Sequence, residues 1–85
     1  MKKFTYTIKS EIGVHVKPAS ALSKVTEKYM SKIFITKDEK SADASKILEI
    51  MSLAIKEGDK ITVTVYGDDE VLAADNVKKF IKENF

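Results

Sequence analysis

The sequence predicts an α+β fold in which an antiparallel sheet carries helices on one face. Stretches in which apolar and polar residues alternate predict strands, and stretches with apolar residues at spacings of three and four predict helices. Their order along the chain is strand, helix, strand, strand, helix, strand, helix. No linker, repeat or low-complexity segment interrupts this order, so the 85 residues are expected to form one domain, 1–85, with one modest core.

The first half of the chain is predicted to form a strand, a helix and a hairpin. Residues 3–9 alternate in polarity, as in a half-buried strand, and a turn follows at 11–13. Apolar residues then recur from residue 16 to about residue 29 at the spacing of an amphipathic helix. Residues 32–36 predict a second strand, and a polar turn at 37–40 leads into a short third strand. The apolar faces are formed by Phe4, Tyr6 and Ile8 in the strand and by Ala19, Leu22, Val25 and Tyr29 in the helix.

The second half is predicted to form two helices separated by a strand. The stretch 45–55 predicts a helix with Ser45 as its N-cap, and a turn at 58–59 precedes a strictly alternating strand at 60–67. Residues 68–85 predict the last helix, because carboxylates occupy its first turn and lysines its last turn, which matches the helix dipole. The inner positions are Ile47, Ile50, Met51 and Ala54, then Ile61, Val63 and Val65, then Val71, Ala74, Val77 and Ile81.

The composition excludes several classes of site. The chain has no cysteine, which excludes disulfides, thiolate metal sites and thiol nucleophiles, and with one histidine neither a metal nor another cofactor is expected. All 15 basic residues are lysine, so no arginine is present to grip a phosphate or a base in a bidentate manner. The net charge of +2 is too small to predict a nucleic-acid partner. No apolar run approaches the length of a membrane span, so we expect no membrane association and a cytoplasmic location.

The stretch "GVHVKPAS" contains the only histidine and the only proline of the chain. Pro18 is tolerated only near the start of a helix, since proline lacks the N–H, so the helix begins within a residue or two of His15. The first turn of a helix has N–H groups without intrahelical partners and a positive potential, which together favour a bound anion. That potential also favours the neutral imidazole, which keeps a ring nitrogen free as a nucleophile or base. Lys17 adds a mobile positive charge within one turn.

A second interpretation of His15 stays open on physical grounds. A polar loop histidine that merely caps or packs at the start of a helix would have the same sequence context. No residue is an obvious orienting carboxylate for the imidazole; Glu11 is near in sequence, but spacing alone does not place it.

Two motifs resemble those of a known family. "GVHVKPAS" closely resembles the glycine–aliphatic–histidine–x–arginine–proline–alanine signature of HPr, the histidine-containing phosphocarrier protein of the bacterial phosphotransferase system. "ASKILEIMSLAI" is similar to the second signature of that family, and the length and the order of elements also match. The resemblance therefore covers essentially the whole chain.

The resemblance implies an open-faced β-sandwich, in which a four-stranded antiparallel sheet of order 1-4-2-3 carries three helices on one face. It implies that His15 accepts a phosphoryl group on Nδ1 from phosphorylated enzyme I, itself charged by phosphoenolpyruvate, and passes it to the IIA domain of a sugar permease. The amides of Val16 and Lys17 would hold the phosphate, and Lys17 would assist the transfer. The surface that binds both partners would include Lys17, Ser20, Lys24, Ile47, Leu48 and Met51. Ile47 and Met51 also suit a purely structural place in the core, whereas Leu48 is the better candidate for exposure.

The chain departs from the family pattern at four positions. Lys17 replaces the arginine of the first signature, which keeps the charge but loses the planar fork. Lys46 replaces the serine that a kinase phosphorylates in many Gram-positive members. Ser45 is adjacent but is turned by about 100° on a helix, so we expect it to act as a cap and not as the regulatory site. Glu49 replaces a usual glycine and Ile12 a frequently polar residue, and both changes bear on partner choice.

Two further hypotheses compete with a phosphocarrier. One is a divergent regulatory or interaction module that binds partners without relaying a phosphoryl group, and the changes at positions 17, 46 and 49 are its only support. The other is a small nucleic-acid binder, which would need stacked aromatics on the sheet face; Tyr6, Phe34 and Tyr66 are candidates, but the absence of arginine argues against it. Nothing in the sequence predicts oligomerisation, so we expect a monomer.

Overall fold

A computed structural model describes residues 1–85. The strands are β1 (Lys2–Thr7), β2 (Lys32–Lys37), β3 (Lys40–Asp43) and β4 (Lys60–Tyr66), and the helices are α1 (Val16–Thr26), α2 (Ile47–Ser52) and α3 (Glu70–Asn84). The order of strands and helices along the chain is the predicted one.

The four strands form one antiparallel sheet in the order β1-β4-β2-β3. The strand β4 lies between β1 and β2, with Val63 opposite Phe4 on one side and Ile35 on the other. Because β4 is central, its alternating residues Ile61, Val63 and Val65 are fully buried. The predicted order 1-4-2-3 is therefore confirmed.

The core lies between one face of the sheet and the three helices. Burying these side chains removes apolar surface from water at about 25 cal/mol per Å², which is the main force that holds the layers together. The largest fully buried side chains are Ile8, Leu22, Ile35, Ile50, Ile61, Val63, Val65, Val77 and Ile81.

Four details of the first two predicted helices are wrong. The helix α1 ends at Thr26, and Tyr29 lies in the turn that follows it. The N-cap of α2 is Lys46 and not Ser45, and this helix ends at Ser52. Ala54 is exposed, because the chain leaves the helix with Ala54 in the left-handed region, at φ 51°.

The apolar stripe of α3 also differs from the predicted one. Its buried residues are Ala73, Ala74, Val77 and Ile81, whereas Val71 is 59% exposed. At about 100° per residue, position 71 is roughly 100° away from the middle of that stripe, so Val71 faces solvent.

The carboxylate of Asp69 joins the start of α3 to the loop between α1 and β2. It accepts hydrogen bonds from the N–H of Met30 at 2.8 Å and from the N–H and hydroxyl of Ser31 at 2.8 and 2.5 Å. The Ser31 hydroxyl, followed by the Met30 N–H, holds the pKa of Asp69 below its ordinary value of 3.8. These contacts anchor the loop to the start of α3, and the side-chain amide of Asn76 adds a second anchor by donating to the Tyr29 hydroxyl at 2.6 Å.

We expect Asp69→Asn to lower the free energy of unfolding at neutral pH by an amount that shrinks in acid. A carboxylate whose pKa is lowered by folding stabilises the protein above its unfolded pKa, and this stabilisation is lost as the pH falls through the folded pKa. Urea unfolding at pH 7 and at pH values below 3.8, with Asp68→Asn as the control for an exposed neighbouring carboxylate, measures the difference. If Asp69→Asn lowers the free energy of unfolding equally at both pH values, the ionised carboxylate of Asp69 is not the source of the stabilisation.

Candidate functional site

The loop that leads into α1 rests on the backbone beyond α2. Gly13 has a φ of 74°, and a Cβ at this residue would lie 2.5 Å from the carbonyl oxygen of Ile55. The neighbouring N–H of Val14 donates to that same oxygen at 3.1 Å, and the Val14 side chain is buried. A glycine is required here both by the positive φ and by the close approach of the two backbone segments. These contacts fix the chain one residue before His15.

His15 is the N-cap residue of α1. Its backbone is extended, at φ −121° and ψ −172°, and its carbonyl oxygen accepts the N–H of Ala19 at 3.0 Å. The half-buried imidazole makes no capping hydrogen bond. Neither Glu11 nor any other carboxylate hydrogen-bonds to it, so both ring nitrogens are uncommitted within the chain.

Two amides at this helix end have no partner in the chain. The N–H groups of Val16 and Lys17 make no backbone hydrogen bond, and Pro18 has no N–H to offer. The Lys17 side chain is exposed. A nucleophilic imidazole, two free amides, the positive end of the helix dipole and an ammonium group therefore meet at one end of α1. This set can accept a phosphoryl group and stabilise its charge.

The residues predicted to bind partners lie on α1 and α2, which pack against each other. Lys17, Ser20 and Lys24 share one face of α1 through their i, i+3, i+7 spacing. On α2, Leu48 is 84% exposed, whereas Ile47 and Met51 are half-buried against the core. The last two therefore have a structural role and keep part of their surface accessible.

Two further exposed apolar side chains flank the histidine in sequence. Ile12 is 76% exposed and Val16 is 62% exposed. Val16 was predicted to contribute only its backbone amide, whereas Ile12 was predicted to bear on partner choice as a departure from the family pattern. Their exposure could have been expected from the sequence, because both side chains are apolar but neither belongs to the apolar stripe of α1.

The segment between β3 and α2 shows what Ser45 and Glu49 do. The Asp43 carboxylate accepts both the hydroxyl of Ser45 at 2.7 Å and its N–H at 2.9 Å. Burial acts to raise the pKa of Asp43, but these two hydrogen bonds together with the charges of Lys46 and Lys32 hold the pKa below its ordinary value. The Glu49 carboxylate accepts the N–H of Asp43 at 3.0 Å and lies 3.7 Å from the ammonium of Lys46. The Glu49 carboxylate is thus hydrogen-bonded to the backbone of Asp43, and the Ser45 hydroxyl is hydrogen-bonded to the Asp43 carboxylate.

The structure does not bring the three candidate aromatics for a nucleic-acid platform onto one face. Phe34 and Tyr66 stack on each other with ring centroids 6.0 Å apart. Tyr6 packs instead against the core on the helix side of the sheet. The three rings therefore do not form a common stacking surface.

Neither metal binding nor membrane insertion is indicated by the geometry. No three carboxylate or imidazole groups are arranged so that they could hold a metal ion. None of the helices has both the length and the apolar character needed to cross a bilayer.

Comparison with known proteins links the chain to one family. The family profile described as "PTS HPr component phosphorylation site" matches residues 2–83. The phosphocarrier protein HPr of Mycoplasma capricolum subsp. capricolum is 37% identical over 79 residues, which are 93% of this chain and 89% of the relative. The HPr-like protein Crh of Halalkalibacterium halodurans is 36% identical over 76 residues, which are 89% and 90% of the two chains. A solved structure of a mycoplasma histidine-containing phosphocarrier protein superposes with a TM-score of 0.93 at 34% identity, covering 96% of this chain and 93% of that one.

The profile match and these relatives extend over nearly the whole chain, and the observed strand order is the one that the resemblance implied. The chain belongs to the HPr family, the phosphocarrier components of the bacterial phosphotransferase system.

Proposed function

We propose that this chain relays a phosphoryl group, which His15 accepts from phosphorylated enzyme I and passes to the IIA domain of a sugar permease. The observation that carries the proposal is the position of the chain's only histidine, with uncommitted ring nitrogens, beside two free helix amides. The chain acts in this scheme as a covalent carrier and is not an autonomous enzyme.

The transfer requires one nucleophilic nitrogen and a place for negative charge. The Nδ1 lone pair of His15 attacks phosphorus, the N–P bond forms, and the bond between phosphorus and enzyme I breaks with its electron pair left on enzyme I. In the second transfer a nucleophile of the IIA domain attacks the same phosphorus and forms a bond to it, and the N–P bond breaks with its electron pair left on Nδ1 of His15. The amides of Val16 and Lys17 hold the phosphoryl oxygens, and the Lys17 ammonium offsets their charge without the planar fork of an arginine.

The docking surface we propose surrounds this site. It consists of Lys17, Ser20 and Lys24 on α1 together with Ile47, Leu48 and Met51 on α2. Leu48 is its most exposed apolar member, at 84%. A single exposed leucine with lysines around it suits a partner surface that has an apolar hollow and carboxylates at its edge. We propose that this exchange takes place in the cytoplasm and that the chain acts as a monomer.

The arrangement around Ser45 argues against serine-based regulation. A phosphate on Ser45 would replace the hydrogen bond to Asp43 with repulsion between two anions. Position 46 is a lysine and cannot take the modification. We infer that neither Ser45 nor position 46 is a kinase target in this chain.

The alternative function is a family member that binds partners without carrying a phosphoryl group. Its support is the substitution at Lys17, Lys46 and Glu49. The structure weakens the argument from Glu49, because its carboxylate is hydrogen-bonded to the backbone of Asp43. The half-buried His15, whose ring nitrogens have no partner in the chain, favours the carrier.

The proposal is tested by incubation of the chain with phosphoenolpyruvate and a bacterial enzyme I, followed by intact mass measurement. We expect the mass to increase by one phosphoryl group in a linkage that is labile in acid and stable in alkali, as a phosphoramidate is. As a control, the same enzyme I must phosphorylate its own carrier protein. If the folded chain then gains no mass, the result would favour the alternative function.

A further inference from the structure

The backbone segment 53–56 follows α2 and lies behind the loop that carries His15. Its contact with that loop is made by the carbonyl oxygen of Ile55, which accepts the N–H of Val14 at 3.1 Å. The same oxygen is the atom against which Gly13 packs. The position of the chain just before His15 therefore depends on where the segment 53–56 lies.

The segment 53–56 is also held by a lysine from the end of β2. The ammonium of Lys37 donates to the carbonyl oxygens of Ala54 at 2.9 Å and Leu53 at 3.3 Å. It also lies 2.9 Å from Oδ2 of Asp59, and this oxygen accepts the N–H of Lys56 at 2.8 Å. Hydrogen bonds from an ammonium group to carbonyls at the C-terminal end of a helix are charge-assisted, and the positive charge is stabilised by the negative end of the helix dipole. Three of the four residues in the segment are thus fixed through Lys37 and Asp59.

This cluster is shielded more than an ordinary surface ion pair. The Lys37 side chain is 19% exposed and that of Asp59 is 29% exposed. The hydrogen bond from Lys37, followed by that from the Lys56 N–H, keeps the pKa of Asp59 below its ordinary value.

We propose that Lys37 is a positioning residue for His15, acting through the segment 53–56, whose Ile55 carbonyl holds Gly13 and Val14. Lys37 touches neither the imidazole nor the free amides of α1. Its role in phosphoryl transfer rests on the proposed function, whereas its role in fixing the loop does not.

The test uses three variants of the full chain. Lys37→Met removes the ammonium and keeps the length of the side chain, Lys37→Arg restores a charged donor, and Lys40→Met is the matched control at the other, exposed end of the same hairpin turn. Amide hydrogen exchange is measured at Val14 and at Val63, an amide of the central strand that reports global unfolding.

We expect Lys37→Met to speed exchange at Val14 by about tenfold more than at Val63, and Lys37→Arg to recover most of the protection. With enzyme I, Lys37→Met should lower the maximal rate of phosphoryl uptake by about five- to tenfold with little change in the half-saturating concentration, because the docking surface is untouched. Lys40→Met should match the wild type in both measurements.

Equal acceleration at Val14 and Val63 would show a purely global loss of stability and would overturn the proposal. So would a Lys37→Met variant that matches Lys40→Met at Val14. If the wild type itself takes up no phosphoryl group, the proposed function fails, and the exchange measurement still decides whether Lys37 fixes the loop.

Discussion

Replacing His15 with alanine is expected to abolish phosphoryl uptake and to leave the fold intact. The imidazole is the only nitrogen nucleophile of its kind in the chain, and the free amides beside it can bind an anion but cannot form a covalent bond to phosphorus. Because the imidazole makes no capping hydrogen bond, its loss should change the free energy of unfolding by no more than about 0.5 kcal/mol. Intact mass after incubation with phosphoenolpyruvate and enzyme I measures the first effect, and urea unfolding measures the second.

His15→Asn serves as a second variant that separates chemistry from folding. Asparagine is a preferred N-cap, and its side-chain oxygen can accept the free N–H of Lys17, so this variant should be more stable than His15→Ala by about 1 kcal/mol. It should still take up no phosphoryl group. Uptake by either variant would mean that another residue is the acceptor and that the assignment of His15 is wrong.

Replacing Gly13 with alanine is expected to lower the free energy of unfolding by about 2–4 kcal/mol. A non-glycine residue at a φ of 74° costs on the order of 1 kcal/mol, and a Cβ placed 2.5 Å from the Ile55 oxygen adds an overpacking penalty of about 1–3 kcal/mol. The clash is with backbone and cannot be relieved by a side-chain rotation. The loop must then move away from Ile55, which breaks the Val14 hydrogen bond and displaces His15, so phosphoryl uptake should slow by about 100-fold.

Gly58 provides the matched control for this substitution. It has a φ of 87°, but a Cβ there would have no heavy atom within 4 Å. Gly58→Ala should therefore show only the conformational cost of about 1 kcal/mol and no change in phosphoryl uptake. If Gly13→Ala and Gly58→Ala lower the free energy of unfolding equally, the close approach of Gly13 to Ile55 does not contribute to the destabilisation.

Periodicity in the sequence was enough to predict the elements and their faces where one face is fully buried. The strand β4 was located to within one residue, because Ile61, Val63 and Val65 alternate with polar residues along a central strand. The start of α1 was likewise predicted correctly, since Pro18 requires the helix to begin within a residue or two of His15. Both features depend on local sequence alone.

The errors lie where tertiary structure overrides the local pattern. The residues after Ser52 are mostly apolar, but the chain turns there through a left-handed Ala54, and composition does not show φ. The hydroxyl of Ser45 could have capped α2, but Asp43 competes for it. The contacts of Lys37 and Asp69 join residues far apart in sequence, and they follow only from the strand order, which periodicity does not determine.

Because Ala54 has a left-handed conformation, the effect of substituting Lys37 on stability depends on which residue occupies position 54. Alanine in this conformation is about 1 kcal/mol less favourable than glycine, and the hydrogen bond from Lys37 to its carbonyl offsets that strain. In a background with glycine at 54, the backbone would adopt the same turn unaided, and the loss of Lys37 would cost less. Substitutions at these two positions are therefore epistatic, and a lineage would lose the lysine at a smaller cost in stability once it had acquired the glycine.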